Sequence, residues 1–376
     1  MQKYYISLLF TVLLSLAETQ AQKMPKKPEI LKAMTIANNY FMNKWQDPGK
    51  AVVSPDRTRP SNLWTRGVYY EGLMALYQID KKQKYYDYAF SWGEAHQWGL
   101  RDGFKTRDAD NQCAGQTYLD LYLMDSKPEY IKDIQESVDA MVNSNKIDDW
   151  TWIDALQMAM PVFARLGIIH KDNRYFEKMY ELYMHTKTAE GGQGLYNTTE
   201  GLWYRDKDFL PPYKTPGGKS CYWSRGNGWV VAALVRVLDI MPKDAPHREE
   251  YEKTFLEMIK ALPPLQRKDG FWNVSLTDES DFGGKELTGT SLFVYGMAWG
   301  VNQGLLDKKT YQPIIAMAMT AMIKDCVHPN GFLGYVQGTG KEPKDGQPLS
   351  YTKEPNFEDY GLGCFLLAGS EVYKMK

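Results

Sequence analysis

The chain has 376 residues, with 45 Lys and Arg set against 46 Asp and Glu, a formal net charge of −1. That balance excludes the basic footprint of a nucleic-acid binder and the cationic face of a membrane-surface protein. Aromatic residues are dense, with 26 Tyr, 11 Trp and 14 Phe; in an exported protein this leans towards carbohydrate contact, and it also serves a large helical core.

The first predicted element is a leader. Lys3 precedes an apolar stretch from Ile6 to Leu16, and Thr19-Gln20-Ala21 follows. This pattern predicts a secretory signal peptide over residues 1–21, cleaved after Ala21. The apolar stretch is too short for a transmembrane helix, and no later segment is long and apolar enough to span a bilayer. No cysteine stands near the cleavage point, which argues against a lipoprotein. The expectation is an exported protein, periplasmic or secreted, with one domain over residues 22–376 and no membrane insertion.

After the leader, apolar residues recur at helical spacing in about a dozen segments. Six are amphipathic, with charges on one face: 27–45, 82–98, 129–143, 173–186, 247–262 and 309–325. Six are apolar nearly all round: 67–77, 113–124, 152–166, 227–238, 289–301 and 360–373. A helix that is apolar all round is buried, and one with a polar stripe faces solvent. The two kinds alternate, which predicts an all-α (α/α)6 toroid with six inner and six outer helices. Links from inner to outer helices are short and polar, such as Asp125-Ser126-Lys127-Pro128. Links from outer to inner helices are long and aromatic, such as Asp269-Gly270-Phe271-Trp272. The long links all precede inner helices, so they gather at one end. The two longest excursions, 191–219 and 336–353, are expected to line or cover a site there.

Cys113, Cys221, Cys326 and Cys364 lack metal-ligand spacing, and the five histidines are scattered, so no metal site is expected. Export permits disulfides, but a chain with an ample core also accommodates free buried thiols.

Chemistry points to the entrances of the inner helices. The run Trp223-Ser224-Arg225-Gly226-Asn227-Gly228-Trp229 places a guanidinium between two indoles. Aromatic faces stack on sugars, and a guanidinium grips a carboxylate with two parallel hydrogen bonds. The glycines are read as easing the turn into the helix. Two acids stand at other entrances. Asp108 and Asp149 read as helix-start residues, whereas Asp110 and Asp154 are candidates for proton chemistry. Asp154 lies in an otherwise apolar run, where an unpaired carboxylate is costly. Two carboxyls sharing a desolvated mouth split their pKa values, and the more buried one, taken to be Asp154, is expected to carry the raised value.

These residues resemble a family. Asp110 with Gly115, then Trp152-x-Asp154, then the run from Trp223 to Trp229, look like the signature of the unsaturated rhamnogalacturonyl hydrolases, glycoside hydrolase family 105. The unsaturated glucuronyl hydrolases of family 88 are related. Glu286-Leu-Thr-Gly-Thr-Ser291 and the segment from Tyr360 to Gly369 extend the resemblance towards the C-terminus. It implies removal of a 4,5-unsaturated uronic acid from the non-reducing end of lyase-generated oligosaccharides, by hydration of the vinyl-ether double bond. Asp154 would act as general acid/base and Asp110 would stabilise the oxocarbenium-like centre. Arg225, Trp229, Trp223, Trp152, Asn111 and Arg205 would contact substrate. No metal or organic cofactor is implied, and the partner is an unsaturated acidic oligosaccharide met by a monomer or weak homo-oligomer.

The chain departs from the family pattern in two places. Arg205 follows Leu202-Trp203-Tyr204 where the family has histidine, and Lys146 stands near Trp152 in place of a His-Lys pair. Both differences fall where the sugar beyond the cleaved bond would bind, and Arg205 and Lys146 point to an anionic aglycone. Two other readings stay open: a conventional glycosidase or lyase using Asp110 and Asp154 on a saturated acidic polysaccharide, and a non-catalytic glycan-capture protein of the envelope.

Overall fold

The computed structural model describes residues 23–53, 58–355 and 359–376. The predicted leader lies outside these residues. No helix among them is long and apolar enough to cross a membrane.

The outer helices are α1 (Lys27–Lys44), α3 (Gln83–Ala95), α6 (Lys132–Val142), α8 (Arg174–Thr188), α10 (Arg248–Ala261) and α12 (Lys308–Asp325). They alternate along the chain with the inner elements α2 (Trp64–Ile79), α4 (Ala109–Gln112) with α5 (Ala114–Asp125), α7 (Asp154–His170), α9 (Ser224–Ile240), α11 (Leu287–Asn302) and α13 (Asp359–Lys374). Each inner element packs on the next, and α13 returns to pack on α2, which closes the ring. This is the (α/α)6 toroid that the alternation predicted.

The periodicity explains the layering. In α11 every residue from Leu287 to Gly300 is buried, whereas α10 buries only Tyr251, Thr254, Phe255, Met258 and Ile259. The core lies between the two rings. Leu73, Leu119, Phe163 and Leu234 are fully buried there, each contributing about 1.5–3 kcal/mol relative to exposure. Closure depends on two small residues. A Cβ on Gly72 would stand 2.5 Å from the Gly363 carbonyl oxygen, and one on Gly363 would meet the backbone of Val68 and Tyr69. Only glycine lets α2 and α13 approach this closely.

Helix starts differ from the predicted ones by a few residues. The largest shift is at the second inner element. Asp108 accepts a hydrogen bond from the Asp110 N–H at 2.8 Å and starts the one-turn α4 before the chain enters α5 at Ala114. Asp108 is thus the helix cap the sequence suggested. Asp149 is not at a helix start; it pairs with Arg107 and Lys146 in the preceding link. All four cysteines are unpaired and buried.

Candidate active site

The outer-to-inner links gather at one end of the toroid and enclose a cavity of about 350 Å³. Asp110, Trp152, Asp154, Arg205, Trp223, Arg225 and Trp229 all line it. Of the eight proposed site residues, only Asn111 is absent from the wall. Its Nδ2 donates to Asp102 at 2.7 Å and to the Thr106 hydroxyl at 3.1 Å. Asn111 therefore organises the link before α4 and does not line the cavity.

Asp154 is the first residue of α7. It is 7% exposed. It is also not unpaired: Arg205 Nε donates to its Oδ2 at 2.9 Å, while Arg205 Nη1 reaches Asp206 at 2.7 Å. The pairing is built by the chain. The Ile153 N–H donates to the Arg205 carbonyl at 3.0 Å, and Trp152 bridges to Asp206, so the 191–219 excursion is strapped to the start of α7. Asn227, inside the Trp-rich run, holds the other side of the same excursion. Its amide accepts from the Trp203 N–H at 2.8 Å and donates to the Trp203 carbonyl at 3.0 Å. Arg205 is thus a cavity-wall residue engaged with two carboxylates. Lys146 pairs with Asp148 and Asp149 and is not part of the wall, so its proposed role beside the substrate is withdrawn.

Asp110 is the carboxyl that the fold perturbs. Burial pushes it up to about 7, helped by the negative charges of Asp108 and Asp154 and opposed by Arg205 and Arg59. The sequence reading expected the raised value on Asp154. The structure raises Asp110, which is buried and faces two carboxylates, and sets the Arg205 guanidinium in hydrogen-bond contact with Asp154.

Arg225 is 1% exposed. Its Nη1 donates to the carbonyls of Gln337 and Gly338, at 3.2 and 3.0 Å, and to the Tyr360 hydroxyl at 2.6 Å. Its guanidinium carbon lies 4.3 Å from the Trp223 ring centroid. Nε and Nη2 have no hydrogen-bond partner among the described residues. The residue is a strut for the second long excursion, and its other two nitrogens are buried. The same excursion is preformed. Gln337 donates to the Asp345 carbonyl at 2.7 Å, and the Asp345 carboxylate accepts from the Lys341 and Glu342 N–H groups at 2.7 and 3.1 Å. Lys341 then pairs with Asp208 at 3.1 Å, joining the two excursions.

The glycines of the run have another role than the predicted turn. Gly226 and Gly228 lie inside α9 without left-handed backbone. A Cβ on Gly228 would stand 3.0 Å from Leu292 and 3.4 Å from Gly289, so its absence seats α9 against α11.

Sequence reasoning missed Arg59, Trp64, Met158, Thr339, Gly340, Lys341 and Asp345, which complete the wall. Trp64 was findable: it opens an inner helix, as Trp223 precedes one, and its ring meets Trp229 edge-on at 6.2 Å. The excursion 336–353 was marked by its length alone. Among the described residues no group of three or more His, Cys, Asp or Glu could hold a metal ion. The wall carries four cations, Arg59, Arg205, Arg225 and Lys341, and three carboxyls. Such a site can hold an anionic ligand against aromatic surfaces while presenting a carboxyl pair.

A closed helical toroid with acids, cations and indoles at one mouth defines a six-hairpin glycosidase. The model of Glycosyl Hydrolase Family 88 matches residues 33–376. The chain is 31% identical to the unsaturated 3S-rhamnoglycuronyl hydrolase of Formosa agariphila, over 83% of this chain and 85% of that one. It superposes on a family 88 glycosyl hydrolase from Bacteroides vulgatus with a TM-score of 0.83 at 30% identity, covering 93% of this chain and 99% of that one. A protein described as a polysaccharide lyase gives the same TM-score and identity, with 93% and 97% covered. The chain belongs to glycosyl hydrolase family 88, and it is an enzyme.

Proposed function

We propose that the enzyme removes a 4,5-unsaturated uronic acid from the non-reducing end of oligosaccharides left by polysaccharide lyases. The observation that carries this reading is that Asp110, Asp154 and Arg225, from three separate inner-helix entrances, line one cavity. A proton taken up by two interacting carboxyls belongs to the pair. Asp110, pushed up to about 7, supplies the proton-rich member at rest. That proton passes to Asp154, which delivers it to C4 of the vinyl ether. Water adds its oxygen to C5, and the carboxylate takes the proton that water loses. The product is a hemiketal, whose opening releases the aglycone. Arg225 supplies positive charge at the wall for the uronate carboxylate, and Trp152, half-buried there, offers a sugar-stacking face.

The cations at the wall also favour an anionic aglycone. We propose a rhamnose-containing aglycone that carries an anionic substituent, in line with the name of the Formosa relative. Export of the protein is proposed on the leader pattern over residues 1–21.

The test is direct. Lyase-generated oligosaccharides lose the ultraviolet absorbance of the conjugated uronate when the wild-type enzyme acts on them. Asp154→Asn is expected to abolish that loss. Release of reducing ends from saturated chains, with the absorbance untouched, would overturn the reading in favour of a conventional glycosidase. Comparing sulfated with desulfated substrates tests the aglycone: equal kcat/KM for both refutes the anionic preference.

A further inference from the structure

Asp154 opens α7, and α7 contains a proline at position 161. Pro161 has no N–H, so the carbonyl four residues earlier, that of Gln157, loses its helical donor. Gln157 is fully buried, and a buried carbonyl without a partner is costly. Another helix supplies the donor. Gln116 on α5 directs its Nε2 to the Gln157 carbonyl at 2.7 Å and to the Met158 carbonyl at 3.3 Å. Met158 is itself part of the cavity wall.

The amide of Gln116 is held in that orientation. Its Oε1 accepts from Arg236 Nε on α9 at 2.8 Å, which leaves Nε2 facing α7. Arg236 in turn lies 3.8 Å from Glu71 on α2 and 3.9 Å from Asp120 on α5. The Gln157 side chain closes the circuit by donating to Glu71 at 2.7 Å. Four inner helices therefore meet at the gap that Pro161 leaves.

We propose that Gln116 is a positioning residue for Asp154. It completes, from a neighbouring helix, the hydrogen-bond ladder that Pro161 interrupts, and so fixes the first turns of α7, which carry Asp154 and Met158 into the cavity. The proposal rests on the reading of Asp154 as the acid/base. Gln116 is buried and touches no substrate in this scheme; it acts through the helix backbone.

A double-mutant cycle tests it, read in the uronate-absorbance assay and by thermal unfolding. Gln116→Leu is expected to lower kcat about tenfold with KM changed less than about twofold, since small misplacements of a reacting group act on turnover. Pro161→Ala restores an N–H aimed at the Gln157 carbonyl. In that background the Gln116→Leu loss is expected to shrink to about threefold or less, a coupling of the kind expected of groups that share one acceptor. If Gln116→Leu fails to fold, the proposal requires the double variant to fold and turn over. Equal kcat losses in both backgrounds, or a double variant that also fails to fold, overturn it. Coupling in Tm without coupling in kcat overturns the positioning role and leaves only a structural one. Asp154→Asn in the same assay separates the two readings, because wild-type turnover in that variant refutes the acid/base role whatever the cycle gives.

Discussion

Asp110 and Glu71 are both raised to about 7, and burial is the leading cause in each. They differ in access and in partners. Asp110 lines the cavity and faces Asp108 and Asp154. Glu71 is 1% exposed inside the ring, where both of its oxygens are occupied: Cys113 donates at 3.4 Å and Gln157 at 2.7 Å, with Arg236 at 3.8 Å. A raised carboxyl is therefore not in itself a mark of catalysis. Glu71 pins helices together, and Asp110 presents its proton to a space that a sugar can enter. The same contrast separates Arg236, engaged within the ring, from Arg225, which lines the cavity.

The largest expected effect tests that contrast directly. Asp154→Asn and Asp110→Asn should each lower kcat by about 10²–10⁴-fold, the range of a lost general acid or base. Glu71→Gln, which keeps the shape of the side chain, should stay within about tenfold of wild type. An equal collapse in Glu71→Gln, with Tm preserved, would break the distinction between the two carboxyls.

Arg225 comes next. Its guanidinium makes three hydrogen bonds, two to carbonyls of the 336–353 excursion and one to the Tyr360 hydroxyl. Arg225→Ala should cost about 3 kcal/mol or more of stability, as for other severed buried charge contacts, together with a large loss in kcat/KM. Unfolding in denaturant and steady-state kinetics on the folded fraction read the two effects separately. An unchanged stability would show that the excursion does not depend on this strut.

The pH dependence of stability follows from the two raised carboxyls. An unfolded Asp or Glu ionises near pH 4, and in the fold both Asp110 and Glu71 ionise at about 7. Between those values the folded state holds protons that the unfolded chain has released. Their contribution is fully present below about pH 4 and is lost as pH rises through about 7. Asp110→Asn and Glu71→Gln should each flatten the fall in Tm across that window. Only variants around Asp110 should also change the pH–rate profile.

The smallest effect sharpens the cause. Asp108→Asn keeps a side-chain oxygen for the α4 cap and removes the negative charge that raises Asp110. The alkaline limb of kcat/KM should move to lower pH while maximal turnover stays within about threefold of wild type. A limb that stays in place would mean that Asp110 does not set it.

Much of this protein was legible in its sequence. The alternation of all-apolar and amphipathic segments fixed twelve helical positions, because helix burial is written in a local period of 3.6 residues. The entrances carrying Asp110, Asp154 and the Trp223–Trp229 run were found by the same means, since long links precede every inner helix. What failed depended on contacts that a helical period does not encode. Asn111 was drawn to the wall by its neighbour Asp110, yet its amide is used by Asp102 and Thr106. The sequence reads Asp154 as an unpaired acid, yet Arg205, 51 positions away, lies against it. The sequence reads Arg225 as a substrate anchor and does not show that Tyr360, 135 positions on, helps to bury it in the wall.

Sequence by itself determined the toroid, the end that bears the site and the residue types gathered there. Tertiary structure alone decided which carboxyl is raised, which cation is already engaged and how the ladder broken by Pro161 is made whole by Gln116. The reason is physical. Periodicity is a property of neighbours in the chain, whereas desolvation and charge pairing are properties of neighbours in space, and the ring brings together at one mouth residues from every part of the sequence.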